Sequence, residues 1–211
     1  MATKLLDLEP QRRDNILNAA LKEFALKGFD DASTNVIAKE AGISKALMFH
    51  YVSNKQELFQ FVQDYFTELL DKEYTAKMDF SEKDIFIKLR QSYLLQIALM
   101  KQYPWIFEFG KISAVATADR LNNELKESSK KLQASCDYQM FCNIDTSKFR
   151  AGLDIEICKQ FIQWSNIGFT NQILEDIRNS GASNIDFEHI ITALDNYFDE
   201  LKKVFYTSAD E

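Results

Sequence analysis

Turn formers are scarce in this chain. Its 211 residues contain two prolines and six glycines, whereas sheets need frequent turns and turns draw on those residue types. A β-rich fold is poorly served by such a composition, and an all-α chain is the economical reading. Cysteine is scarce too: Cys136, Cys142 and Cys158 form no CxxC pair and cannot pair off completely. They read as small buried hydrophobes of a reducing compartment, not as a disulfide frame or a metal site. Two histidines, His50 and His189, fall in separate expected helices. With no metal-ligand spacing, glycine-rich phosphate loop or nucleophile elbow, neither an enzyme nor a cofactor is expected. The longest uncharged run, residues 160–174, is interrupted by polar groups and falls short of the ~20 residues a membrane span needs. Residues 1–9 lack the apolar core of a signal peptide. A cytoplasmic protein without a membrane partner is expected.

Positive charge is in deficit, with 25 Lys/Arg against 32 Asp/Glu and a net charge of −7. The distribution matters more than the sum. Residues 1–60 hold eight groups of each sign, so the remaining 17 basic and 24 acidic groups carry the whole imbalance. A neutral head on an acidic body is compatible with DNA binding if the head gathers its cations on one face, and it predicts weak non-specific affinity.

Helical periodicity is what the chain has in abundance. Pro10 suits a first helical turn, Ile16, Leu17, Ala20, Phe24 and Ala25 follow at helical spacing, and Gly28 is placed to end the helix after Lys27. Ser33 or Thr34 caps a second helix, Gly42 breaks it where a tight turn wants positive φ, and Ser44 caps a third of about two turns. Asn54 to Glu57 is a capping-box-like start for a long fourth helix bearing Leu58, Phe61, Val62, Tyr65, Phe66, Leu69 and Leu70. Ser81 to Asp84 opens a fifth helix through Met100, and Pro104 a sixth through Lys111. A seventh is expected over about 118–142, then a polar loop (143–154), an eighth helix to about Arg178, a turn (179–184) and a ninth over 186–205. The expected fold is all-α, of about nine helices. A three-helix helix-turn-helix head (1–57) continues through the fourth helix into a larger effector-binding and dimerisation body (58–211).

In the head, Ile37, Ala41, Ile43 and Met48, with Phe24 behind them, can hold one short helix against the other. With Met48 inward, Ala46 and His50 point roughly 160° away. Lys45 then brings a cation near the groove, small Ala46 permits close approach, and the helix starts at Thr34 and Ser44 offer N–H groups to phosphate. Phe49 reads as a packing aromatic.

The stretch Lys-Gly-Phe…Ser-Thr-Asn-Val-Ile-Ala-Lys-Glu-Ala-Gly-Ile-Ser-Lys-Ala-Leu-Met-Phe-His-Tyr-Val-Ser-Asn-Lys-Gln-Glu-Leu resembles the TetR family of bacterial transcriptional regulators. The pieces Ile-Ala, Ala-Gly-Ile-Ser, Phe-His-Tyr and Asn-Lys-x-x-Leu stand in register over about residues 16–58, and the rest agrees in helical architecture only. The resemblance implies phosphate contacts from Thr34, Tyr51 and Lys55, and a backbone contact from His50. It places Lys45, Ala46 and Leu47 near the bases and Asn35 within occasional reach of one. Val52 departs from a commoner Phe, and Leu47 from a frequent Thr or Ser, which removes a polar contact there.

In the body, the ninth helix carries more apolar positions than one buried face needs. With the eighth it could build a symmetric four-helix interface, as family members do, and Ile162, Ile173, Phe187, Ile191, Leu194, Phe198 and Leu201 are the candidates. The chain holds 17 Phe, 8 Tyr and 2 Trp. Those on the middle helices could line a small-molecule site: Phe66, Tyr93, Trp105, Phe107, Phe109, Tyr138, Phe141, Phe161 and Trp164, with Gly168 making room for a ligand or for a neighbouring helix. Core packing is the competing reading of each aromatic. Arg90 and Lys111 are the nearest cations in sequence, which favours a largely apolar or neutral ligand. The whole reads as a TetR-like homodimeric repressor released from a palindromic double-stranded operator by an unknown small effector that tilts the fourth helix. The alternative is a constitutive DNA-binding regulator with a solid core.

Overall fold

The computed structural model describes residues 5, 7–120, 139–180 and 185–207. Among them every regular element is helical, and the one extended pairing is an isolated antiparallel bridge between Phe149 and Tyr206. The helices are α1 (Pro10–Asp31), α2 (Thr34–Glu40), α3 (Lys45–Tyr51), α4 (Lys55–Leu70), α5 (Ile85–Gln102), α6 (Ile106–Arg120), α7 (Ile155–Ser180) and α8 (Phe187–Phe205). The last two are the expected eighth and ninth. Most of the expected seventh, including Tyr138, lies outside the described residues, and its start at 118–120 belongs to α6. The described residues cluster into two compact units, one of residues up to 76 with 99–120, the other of 77–98 with 139–207.

In the first unit, α1 packs on α2, α4 and α6, and α4 packs on α6. Pro10 occupies the first turn of α1, and Gly28, at φ 69°, interrupts its regular course near the end. Ile16, Leu17, Ala20 and Phe24 are buried with Ile37, Met48, Leu58, Phe59, Val62, Ile106 and Phe109. Each of these side chains larger than alanine stabilises by about 1.5–3 kcal/mol when fully buried. Aromatic rings form the centre: Phe24 meets Phe59 edge-on at 4.9 Å, Phe59 meets Phe109 at 5.6 Å, and Phe66 meets Phe109 at 6.0 Å. A Cβ built on Gly110 would stand 2.9 Å from Phe66 Cζ, so the missing side chain is what lets that ring lie on α6.

In the second unit, α5 begins later than the sequence indicates. Ser81 N–H and hydroxyl both turn back to Asp79 Oδ1, and Asp84 caps the helix by accepting from Phe86 and Ile87 N–H. The choice between two capping residues is made by distant partners: Lys148 Nζ donates to Asp84 Oδ2 at 2.7 Å, and Tyr206 hydroxyl to Oδ1 at 3.1 Å. Arg150 closes α8 by donating to the carbonyls of Lys203 and Tyr206, while Asp186 opens it by accepting from His189 N–H.

The apolar faces of α7 and α8 divide differently from the expected interface. Ile162, Ile173, Leu194 and Phe198 are buried within the chain; Phe198, for example, packs on Phe86 and Tyr93. They belong to the core. Phe187, Ile191 and Leu201 are half-buried. The apolar side chains left exposed on these helices are Ile157, Phe161, Trp164 and Ile167 on α7 and Val204 on α8. Phe161 and Trp164, expected to line a ligand site, are 49% and 59% exposed.

Candidate nucleic-acid interface

The α2–α3 corner is built by local rules. Ala41, Gly42 and Ile43 N–H groups return to the carbonyls of Ile37, Lys39 and Ala38, with Gly42 at φ 71°. That left-handed residue is what a helix stop of this kind requires. Ser33 sits at the N-cap of α2 without a side-chain capping bond, and its N–H donates instead to Glu23 Oε1 of α1 at 2.9 Å. Ser44 caps α3 as expected, its hydroxyl accepting from Leu47 N–H at 3.1 Å, so that N–H is already engaged within the chain.

Seven residues make α3, and they split cleanly. Met48 is buried, as is Val52 beyond the end, and Leu47 and Tyr51 are half-buried. Lys45, Ala46, Phe49 and His50 are exposed. At 100° per residue these four occupy one face. Ala46 and His50 therefore stand where the sequence puts them, but Phe49 does not: its ring is 38% exposed, with Lys45 Nζ 5.9 Å from its centroid. On α2, Asn35 is exposed and Thr34 half-buried.

Lys55 has a role that sequence reasoning missed. Its ammonium donates to the carbonyls of Asp30 at 2.8 Å and Ala32 at 3.1 Å and lies 4.9 Å from the centroid of Phe29. It ties the start of α4 to the α1–α2 corner, using two of its three donors. Asn54 caps α4 by accepting from Glu57 N–H, and Glu57 accepts from Ser53 N–H at 2.6 Å, one residue earlier than an ideal capping box. That backbone bond holds the Glu57 carboxyl below its usual range.

The other expected site residues do several different things. Phe109 and Trp105 are buried in the first unit, Phe66 lies on Gly110, and Phe107 is half-buried. Trp105 Nε1 is buried with no hydrogen-bond partner among the described residues. In the second unit Tyr93 is buried; its hydroxyl is 2.8 Å from Thr170 Oγ1 and donates to Asn166 O at 3.1 Å. Burial pushes that hydroxyl up to about 12. Phe141 is half-buried, and Gly168 is exposed with nothing close to its missing Cβ, so it makes room for no neighbour among the described residues. Neither cation near the expected ligand site reaches inward: Arg90 forms a two-bond pair with Asp195 at the surface, and exposed Lys111 lies 3.7 Å from Glu108. An open groove of about 450 Å³ beside Asp176, Asp186 and His189 is lined by none of the expected ligand residues. No group of His, Cys, Asp or Glu among the described residues is placed to hold a metal ion, and no helix among them is long and apolar enough to cross a membrane.

A family profile described as "Bacterial regulatory proteins, tetR family" matches residues 16–62, the segment from mid-α1 to mid-α4. Over that segment the chain is similar to the TetR family. Over 53 residues it is 38% identical to the HTH-type transcriptional regulator BetI of Brucella canis, a match covering 25% of this chain and 27% of that one. The chain thus spans about a quarter of the length of the curated relatives it matches. In fold the likeness to solved structures extends over most of the chain. The ketosteroid transcriptional regulator KstR2 of Mycobacterium tuberculosis superposes with a TM-score of 0.65 at 16% identity, over 95% of this chain and 97% of that one. AibR, solved with isovaleryl coenzyme A and operator DNA, superposes with a TM-score of 0.55 at 18% identity, over 87% of this chain and 95% of that one. Identities this low speak for the shared fold alone.

Proposed function

We propose that this protein is a TetR-like homodimeric DNA-binding transcriptional regulator, a repressor released from a palindromic operator by a small, largely apolar effector. The observation that carries the DNA reading is the outer face of α3, where Lys45, Ala46, Phe49 and His50 stand exposed on a helix whose other face is locked by Met48. A short helix with a fixed back and a free, cationic front suits the major groove. In this reading Lys45 and Ala46, with half-buried Leu47 at the edge, approach the bases. Thr34, Ser44, His50 and Tyr51 approach the phosphates, Asn35 supports them from α2, and Lys55 offers its remaining donor.

Pairing is the second component. The exposed apolar stripe Ile157, Phe161, Trp164 and Ile167 supports a symmetric interface through α7, continued by Val204 on α8. Two heads on one palindrome supply contacts that a single neutral head lacks.

The effector is the third component. The indole N–H of Trp105, buried without a hydrogen-bond partner among the described residues, supports a ligand that brings it an acceptor oxygen, since a buried donor left unsatisfied costs about 1–3 kcal/mol. Such a ligand switches the protein only by preferring the conformation that does not bind DNA. The tight ring packing of Phe24, Phe59, Phe66 and Phe109 favours the other reading, a constitutive regulator with a solid core.

Selection from random duplex DNA tests the DNA reading: an enriched inverted repeat is expected, and no enrichment would sink it. Native mass spectrometry separates the effector readings, because a co-purified small molecule whose removal tightens operator binding is expected only of the ligand-responsive form.

A further inference from the structure

Phe49 departs from its sequence reading as a packing aromatic, and its position has a chemical consequence. The inner side of α3 is filled by Met48 and Val52, both buried, so the Phe49 ring is not needed for the core. It is instead held outward, 38% exposed, one turn from Lys45, whose Nζ stands 5.9 Å from the ring centroid in a cation–π arrangement. Ala46 and His50 flank it on the same face. A phenyl ring neither donates nor accepts a hydrogen bond. The edges of base pairs in the major groove are donors and acceptors with one apolar exception, the 5-methyl group of thymine.

We propose that Phe49 is a specificity-determining residue that reads the methyl group of one thymine in each operator half-site. The inference rests on the DNA-binding reading and goes beyond it, because it names both the base and the atom recognised. Lys45 on the face of the ring restricts where Phe49 can lie, and the methyl group completes an apolar contact between Phe49 and Ala46.

The test uses the full chain and the duplex it selects from random DNA. Each thymine of a half-site is replaced in turn by uracil, which pairs identically but lacks the methyl group, and the dissociation constant is measured by fluorescence anisotropy. Burying one methyl is worth about a four-fold change in affinity, so uracil at one position should weaken wild-type binding about four-fold, and about fifteen-fold when both half-sites are changed. In Phe49→Ala the same replacement should have no effect, and Phe49→Leu should keep part of it. A thermal melt of each variant checks the fold, which an exposed side chain should leave intact. Wild-type binding indifferent to uracil at every thymine would overturn the proposal, as would a full uracil penalty surviving in Phe49→Ala. Failure of the wild type to select any duplex would instead overturn the DNA-binding reading itself.

Discussion

Two exposed aromatic faces distinguish the first unit from the second. On α3, Phe49 has the Lys45 ammonium against its ring and the exposed His50 beside it. On α7, Phe161 and Trp164 meet edge-on at 5.9 Å between Ile157 and Ile167, within the uncharged run of residues 160–174. Exposure is similar; the surroundings differ. An apolar group beside a positive charge suits a polyanion whose polar base edges carry one apolar feature, the thymine methyl. A broad aromatic stripe without charge suits the centre of a protein–protein interface, where charged residues are depleted and Trp is enriched.

Placing a charge on the second face should have the largest effect. Trp164→Glu should convert a dimer to a monomer in light scattering behind size exclusion and weaken operator binding by at least about 100-fold, since a central Trp carries 2 kcal/mol or more of an interface and a two-fold axis uses it twice. A variant that stays dimeric would remove α7 from the interface. The hidden side of α3 comes next. Met48→Ala should destabilise the fold by about 2–5 kcal/mol in denaturant unfolding, whereas Phe49→Ala, on the exposed side, should change stability by no more than about 0.5 kcal/mol.

Two lysines sharpen the contrast within the head. Lys55→Met should lower stability by about 1–2 kcal/mol through the lost bonds to Asp30 and Ala32 carbonyls. Lys45→Ala should leave stability unchanged while relaxing sequence preference. Comparable melting temperatures for the two variants would contradict that division. The smallest effect is a control on neither face. Burial alone would raise the Asp84 carboxyl, but Lys148 and the N–H groups of Ile87 and Phe86 outweigh it and hold the group below its ordinary 3.8. A carboxyl depressed in the folded state stabilises at neutral pH, and that contribution is lost as pH falls below about 4 and through the lowered value. Asp84→Asn should therefore be less stable at pH 7, lose less on acidification, and pair and bind DNA as the wild type does.

The head was legible because its rules are local. A positive-φ glycine at 42, a hydroxyl cap at 44 and a single inward Met48 follow from neighbours within a few residues. Phe49 was misjudged because in a seven-residue helix an aromatic next to the buried anchor can fall on either side of the core boundary. Lys55 escaped because its partners lie 23 and 25 residues earlier in the chain. Long-range contacts also moved the cap of α5 from Ser81 to Asp84, residues of equal capping propensity. On α7 the apolar positions run round the helix, so periodicity could not tell Ile162 and Ile173, which are buried, from Phe161 and Trp164, which are not. Burial decided between them.

Native mass spectrometry of the protein on its selected operator tests the central claim most directly. Two chains per palindromic duplex are predicted for the wild type, with Trp164→Glu unable to form that complex at the same concentration. A single wild-type chain bound per duplex, or a two-chain complex that Trp164→Glu forms equally well, would contradict it.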